Sequence, residues 1–209
     1  GFYSGPDDVN ARCWIYFTAF SASMRSAALM RLLEDGSFLY VKGDTAVKLR
    51  IRSVATGDDV LKAKASGASA LAAELFLPEA VEVARREGVE LIDLEDVAEP
   101  LAEVVGALLR ERRPDLLVRI FQELLPRDVA RHYSYLEHVD FMTKDVAATS
   151  FKVELEFQKG FEFFEDILEF MSALAAKASG LGMSTSLNST VDPRHKKQRI
   201  TFEVGLDLA

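Results

Sequence analysis

The sequence contains few of the residues on which the commonest site chemistries depend. Its 209 residues include one cysteine and three histidines, and asparagine and glutamine together occupy only five positions. The single cysteine, Cys13, excludes an intramolecular disulfide and fits a reducing compartment, so we expect a cytoplasmic protein. The scarcity of side-chain amides beside abundant Arg and Glu favours a thermophilic source.

Long apolar runs and an excess of basic residues are also missing. No run approaches the roughly 20 residues of a membrane-spanning helix, and no basic start is followed by the apolar stretch of a signal peptide. We therefore expect no membrane partner. The formal net charge is −8, whereas a general nucleic-acid binder carries a basic surface. Any contact with nucleic acid must accordingly be local.

The first half of the chain alternates helical and strand patterns. Apolar spacing predicts a helix over residues 8–34, ended by Asp35-Gly36. Two β-rich runs, residues 38–41 and 47–54, flank the turn signal Gly43-Asp44 and predict a hairpin. Helices and strands are then predicted to alternate, beginning and ending with a helix, over residues 58–66, 70–76, 79–87, 89–93 and 94–113.

The last third predicts a second, two-layer α+β domain with an antiparallel sheet. Residues 151–157 alternate apolar and polar side chains, which is typical of a half-buried strand. An amphipathic helix over residues 161–179 and a hairpin of residues 183–190 and 198–206 follow. Residues 132–148 show no clear period. We place the domain boundary near residues 126–148 and predict domains of residues 1–126 and 127–209.

The predicted order of the first domain, α-β-β-α-β-α-β, resembles the restriction-endonuclease-like fold of the PD-(D/E)xK nucleases. Mrr-type domains give the nearest local pattern, a Phe-x-x-Glu-Ala helix followed by Gly-Ile-x-Leu-Ile-Asp. This chain has Phe76-Leu77-Pro78-Glu79-Ala80 followed by Gly88-Val89-Glu90-Leu91-Ile92-Asp93. The resemblance covers residues 15–110, about half of the chain.

The resemblance implies a metal-dependent nuclease site that this chain does not keep. Such nucleases place one acid on the first hairpin strand and Asp/Glu/Gln-x-Lys on the next, where they bind Mg²⁺ and orient water. Here Arg50 falls at the second acid and Arg52 at the lysine. A guanidinium repels a cation, so we expect a degenerate site and no metal cofactor. Acids that have migrated remain weak catalytic candidates, namely Asp35, Asp44 and Glu74.

Two basic clusters are candidate anion sites. Lys48, Arg50 and Arg52 alternate along a strand and therefore share one face. A hairpin loop contains the second cluster, Arg194, Lys196 and Lys197. Both could contact nucleic-acid phosphates, but a solvated or paired strand face and unselected charge at a loop tip are the commoner cases. We expect no metal site from His132 and His138, because a six-residue spacing does not place two side chains together on a helix.

Three functions stay open. The first is a non-catalytic binding or scaffold protein with a degenerate nuclease-like domain, contacting nucleic acid locally. The second is a metal-dependent nuclease with migrated acids. The third is a structural or regulatory assembly protein without nucleic acid. Self-association or a protein partner is expected for the first and third, and no cofactor is expected. The chain lacks the nucleophile elbow Gly-x-Ser-x-Gly and a phosphate loop.

Overall fold

The computed structural model describes residues 29–32, 37–42, 45–125, 129–158, 160–161, 164–194 and 196–208. It is a mixed α/β protein with a five-stranded sheet and a four-stranded sheet. The chain divides into two compact units, Gly1–Leu101 with Glu123–Pro126, and Ala102–Gln122 with Arg127–Ala209. Residues 102–122 thus belong with the second sheet, whereas the predicted domain boundary lies after residue 126.

The sheet of the first unit combines a meander with a parallel half. Its strands lie in the order of the chain, and the first three pair antiparallel while the last three pair parallel. Lys42 lies opposite Thr45, as the predicted hairpin requires. The five strands are β1 (Leu29–Leu32), β2 (Ser37–Lys42), β3 (Thr45–Ala55), β4 (Ala70–Phe76) and β5 (Glu90–Asp93).

The predicted helix over residues 8–34 is wrong at residues 29–32. These residues form β1, which pairs with β2 so that Leu29 lies opposite Val41 and Leu32 opposite Phe38. Helical spacing expresses only a weak local preference, and pairing with a neighbouring strand outweighs it. The rest of that prediction, residues 8–28 and 33–34, lies outside the described residues, as does Cys13.

Helices alternate with the parallel strands as predicted. They are α1 (Gly57–Ala65), α2 (Pro78–Glu87) and α3 (Leu94–Arg110). Residues 70–73 of β4 are fully buried, which is typical of a parallel strand covered on both faces. Leu71 and Ala73 pack in one cluster with residues of α1 and α2. Gly88 ends α2 with a φ of 71°, a conformation that glycine adopts without steric cost.

A buried carboxylate joins β3 to the start of α1. The backbone N–H of Thr56 donates to Asp59 Oδ2 at 2.9 Å, and the Asp59 N–H donates to Thr56 Oγ1 at 3.2 Å. This reciprocal capping box satisfies two amide groups at the helix start. Arg52 Nε lies 3.5 Å from Asp59 Oδ1, and Asp59 is only 9% exposed. The same carboxylate therefore caps the helix and pairs with a strand cation.

The second unit contains an antiparallel sheet in the order β6-β7-β9-β8. The helix and the strands predicted for the last third of the chain are present. β6 and the start of β7 lie in the part of the sequence that shows no clear hydrophobic period. The elements of this part of the chain are α4 (Pro114–Leu124), β6 (Ala130–Val139), β7 (Val146–Gln158), α5 (Phe164–Gly180), β8 (Ser184–Asp192) and β9 (Lys197–Asp207).

Aromatic rings fill the inner side of this sheet. Phe121 of α4 stacks on Phe151 of β7, with ring centroids 5.7 Å apart, and lies 6.2 Å from Phe202 of β9. All three rings are fully buried. Thr149 is also buried, and its hydroxyl donates to the Leu109 carbonyl at 3.4 Å. The alternate residues of β7 and β9 therefore face solvent, because successive side chains of a strand point to opposite faces.

Close approach between strands requires glycine at one position of β9. A Cβ placed on Gly205 would lie 2.8 Å from Ser184 Oγ and 3.2 Å from the Thr149 carbonyl oxygen. Gly205 pairs with Ser150 on one side and Ser184 on the other. Atoms of the two strands that flank β9 thus occupy the space that a side chain at position 205 would need.

Replacing Asp59 with alanine should destabilise the first unit. The substitution removes the capping box and leaves Arg52 without this carboxylate, so the free energy of unfolding should fall by about 1–2 kcal/mol. Asp58→Ala is the matched control, because Asp58 is exposed and pairs with Lys62 on the same helix, a contact worth about 0.5 kcal/mol or less. Urea unfolding measures both, and equal losses would contradict the structural role of Asp59.

Candidate functional site

The basic row of β3 lies on the side of the sheet that α1 and α2 cover. Arg50 and Arg52 are in register with Leu71 and Ala73 of β4, which pack against those helices. Paired residues of neighbouring strands share a face. Arg52 contacts Asp59 of α1, and Arg50 is half-buried. The side chain of Lys48 lies outside the described residues, so the row as an anion site stays a prediction.

Of the three candidate acids, Glu74 lies among the described residues. Glu74 is an exposed residue of β4, and Asp35 and Asp44 lie outside the described residues. Within the described part of the chain, no group of three or more His, Cys, Asp or Glu residues could hold a metal ion. His132 and His138 are exposed residues of β6. In the same part of the chain, no helix has both the length and the apolar composition needed to cross a membrane.

The basic loop between β8 and β9 divides into exposed and paired cations. Arg194 and Lys196 are exposed. Lys197 begins β9, and its Nζ lies 2.9 Å from Glu156 Oε1 of β7. The loop begins with a local turn, in which Asp192 Oδ1 accepts a hydrogen bond from the Arg194 N–H at 2.9 Å. Arg194 and Lys196 are therefore the two residues of this cluster best placed to meet an external anion.

The outer face of the antiparallel sheet, which points away from the Phe121 side, is mostly polar along its central strands. Its residues on β7 and β9 form ion pairs across and along the strands. Glu156 pairs with Lys197 and also with Arg199, at 2.9 and 3.0 Å, and Lys152 lies 3.0 Å from Glu154. The hydrogen bond from Lys197 lowers the pKa of Glu156, and that from Lys152 lowers the pKa of Glu154.

A depression of about 410 Å³ lies on this outer face. Glu154 and Glu156 line it, and both carboxylates are already in ion pairs. Their lowered pKa keeps them ionised, so neither suits a general acid near neutral pH. A depression of mixed charge with internally matched ion pairs fits a solvated sheet face better than a reaction site. Its other polar lining residues are Arg131, His132, Thr190, Arg199 and Thr201.

The turn between β6 and β7 holds two large apolar side chains in water. Phe141 is 83% exposed and Met142 is 84% exposed. Lys144 Nζ lies 4.9 Å from the centroid of the Phe141 ring, so a cation covers one side of it. Full exposure of adjacent Phe and Met side chains is costly in water and is typical of surfaces that bind a partner.

Internal hydrogen bonds fix this turn. Asp140 Oδ1 accepts from the N–H groups of Met142 and Thr143 at 2.8 and 2.9 Å. The Asp140 N–H donates to the Asp145 carbonyl at 2.8 Å, and the Lys144 N–H donates to the Asp140 carbonyl at 2.9 Å. The backbone N–H of Thr143, and then that of Met142, lowers the pKa of Asp140. The two apolar side chains are thus presented by an ordered turn.

The strand before the turn continues this apolar surface. Leu136 and Val139 of β6 are 58% and 55% exposed. In the described part of the chain β6 pairs with β7 alone, so the backbone groups along its other edge have no neighbouring strand. Sequence reasoning missed this region because it searched for alternation. An Asp that caps its own turn, followed by Phe-Met between charged residues, was the available signal.

No family model, curated protein or solved structure matches this chain.

The ion pairs of Glu156 should make stability depend on pH. Because the folded state lowers the pKa of Glu156 from 4.5, its contribution is fully present above that pH and is lost as the pH falls through the folded value. Glu156→Gln should therefore reduce the loss of stability on acidification. Urea unfolding between neutral pH and pH 3 measures this, with Lys197→Gln expected to weaken the same dependence. An unchanged pH profile for Glu156→Gln would contradict the assignment.

Any affinity for DNA should depend on the exposed loop. Arg194→Glu with Lys196→Glu should weaken binding to labelled single-stranded or duplex DNA at low salt by about tenfold or more, because phosphate contacts release counterions. The matched control is Arg85→Glu with Arg86→Glu, which changes the net charge equally on exposed positions of α2. Fluorescence anisotropy measures both. Equal losses of affinity in the two double variants would show that binding depends on overall charge. If the chain does not bind DNA at low salt, nucleic acid is not part of its function.

Proposed function

We propose that this chain is a non-catalytic binding or scaffold protein that contacts a protein partner through the turn at Phe141 and Met142. The single observation that carries the proposal is the exposure of these two side chains, 83% and 84%, on a turn fixed by its own hydrogen bonds. Because these hydrogen bonds fix the backbone of the turn, the two apolar side chains cannot become buried through a local rearrangement of the turn. Its exposed area is therefore available to a partner.

The first unit, in this proposal, is a restriction-endonuclease-like domain whose active site has degenerated. The order of a hairpin followed by α1, β4, α2, β5 and α3 supports it, since these elements follow the leading helix in the restriction-endonuclease-like order, although β1 stands where the end of that helix was predicted. The two arginines that replace the metal-binding motif support the loss of cleavage. Arg52 pairs with Asp59 in the helix cap, which is a structural role rather than a catalytic one.

A local contact with nucleic acid remains part of the proposal on one observation. Arg194 and Lys196 are exposed together at the end of a hairpin, a position from which cations reach phosphates. The charged groups of the neighbouring outer face are matched within the protein. The basic loop, rather than the sheet face, is then the surface on which such a contact depends.

The proposal predicts that the chain cleaves no DNA with Mg²⁺ or Mn²⁺. Single-stranded, duplex and branched DNA should stay intact even when the protein concentration exceeds the DNA concentration. The alternative, a nuclease with migrated acids, requires cleavage that disappears in Asp35→Ala, Asp44→Ala or Glu74→Ala. Metal-dependent cleavage lost in any one of these variants, but kept in Asp58→Ala, would overturn the non-catalytic function. Gel analysis of end-labelled substrates provides the readout.

A further inference from the structure

We infer that the partner at this surface is a second copy of the chain, which pairs its β6 antiparallel to β6 about a two-fold axis at Ser134. The inference rests on the proposed function and names its partner. Three features of the described residues support it: the open edge of β6, the arrangement of charges along that strand, and the apolar groups that continue from the strand into the turn.

The open edge gives the pairing its backbone hydrogen bonds. β6 is ten residues long and contains no proline, and in the described part of the chain it pairs only with β7. Such an edge is a template for another strand unless charge, proline or a covering element protects it. The register of β6 with β7 is regular up to His138, where it shifts. Residues 130–138 therefore offer an uninterrupted row of donors and acceptors.

The side chains of β6 match an antiparallel copy of themselves. With the axis at Ser134, Tyr133 lies opposite Tyr135, and Arg131 lies opposite Glu137. Within one chain Arg131 donates to the Val129 carbonyl and Glu137 pairs with Arg112, so the contact between copies would add to these bonds. Opposite charges and paired aromatic rings at facing positions stabilise antiparallel strands, whereas like charges destabilise them. Moving the axis to Tyr135 would instead place His132 opposite His138. The order Arg-His-Tyr-Ser-Tyr-Leu-Glu thus favours the register about Ser134 over that about Tyr135.

The apolar groups extend the same contact. In this register Val139 lies opposite residue 129 of the copy, and the turn reaches past the start of the copy's β6. Phe141 and Met142 would then lie at the end of the shared sheet. Leu136, more than half exposed in one chain, would face His132 of the copy. The same arrangement therefore places residues of the copy opposite Leu136 and Val139 and brings the turn to the end of the interface.

The other edge of the sheet lacks these features. β8 also pairs with a single strand among the described residues, β9. Its only large exposed apolar side chain is Val191, and Asp192 is its only charged residue. No register about its centre brings opposite charges together. The observations therefore favour β6 over β8, and β8 provides a control strand within the same sheet.

A cysteine at the axis tests the inference directly. Two Ser134→Cys side chains would face each other, with Cα atoms about 4.5–5.5 Å apart in antiparallel strands, a separation that a disulfide accepts. The background is Cys13→Ser, and the control is Asn188→Cys at the middle of β8. Under mild oxidation of the full chain, the Ser134→Cys protein should form a covalent dimer at least about tenfold faster, because pairing raises the effective concentration of the thiols.

Sedimentation of the same proteins gives a second measurement. The unmodified chain should show a concentration-dependent mass of twice 23.2 kDa. Phe141→Ser with Met142→Ser should raise the dissociation constant about tenfold or more. Leu61→Ser with Val81→Ser, at exposed apolar positions of the first unit, should leave it unchanged.

The outcomes separate the two proposals. A dimer without rapid Ser134→Cys cross-linking would overturn the β6 pairing, and so would equal cross-linking rates at Ser134→Cys and Asn188→Cys. A monomer at every concentration would also overturn it. Each of these results leaves a binding role toward another protein standing, whereas metal-dependent DNA cleavage would reject the proposed function whatever the mass.

Discussion

The packing of Phe121 on the antiparallel sheet determines which side of the second unit meets solvent. Its ring contacts Phe151 and Phe202, one from each of the two central strands. Because side chains alternate along a strand, this contact directs every second residue of β7 and β9 to the outer face. A slip of one residue in either strand would bury ion pairs and expose phenylalanine. The outer face, the edge strand and the turn all follow from this register.

The sequence predicted best the central strands, which have a neighbouring strand at each edge, one buried face and one solvent-exposed face. β7 and β9 are central strands with a dry and a wet face, so apolar and polar residues alternate clearly over residues 151–157 and 200–206. β6 lies at the edge, where only some inner positions are covered, and its tyrosines are half-buried. Its sequence therefore alternates weakly, and the strand was not predicted. β1 was predicted as a helix because its structure depends on pairing with β2, which local spacing does not record.

The candidate site shows the same limit. Alternation correctly placed Arg50 and Arg52 on one face, but a period of two cannot tell which face helices will cover. That depends on the register of β3 with β4, which sets Arg52 beside Ala73. The exposure of the hairpin loop could be predicted, because a loop between two strands is exposed whichever face of the sheet is covered. Arg194 and Lys196 are accordingly where sequence expected them, while the apolar turn at Phe141 gave no periodic signal.

The assignment of residues 102–122 to the second unit bears on how its partners can be found. A fragment cut at the predicted domain boundary, beginning at residue 127, would keep the whole antiparallel sheet and α5. It would lose Phe121, together with the Leu109 carbonyl that accepts the Thr149 hydroxyl. The rings of Phe151 and Phe202 would then be uncovered, and the fragment would adhere to many proteins through its own core. Interaction screens with this unit should therefore use fragments that begin no later than α3, so that recovered partners reflect the native surface.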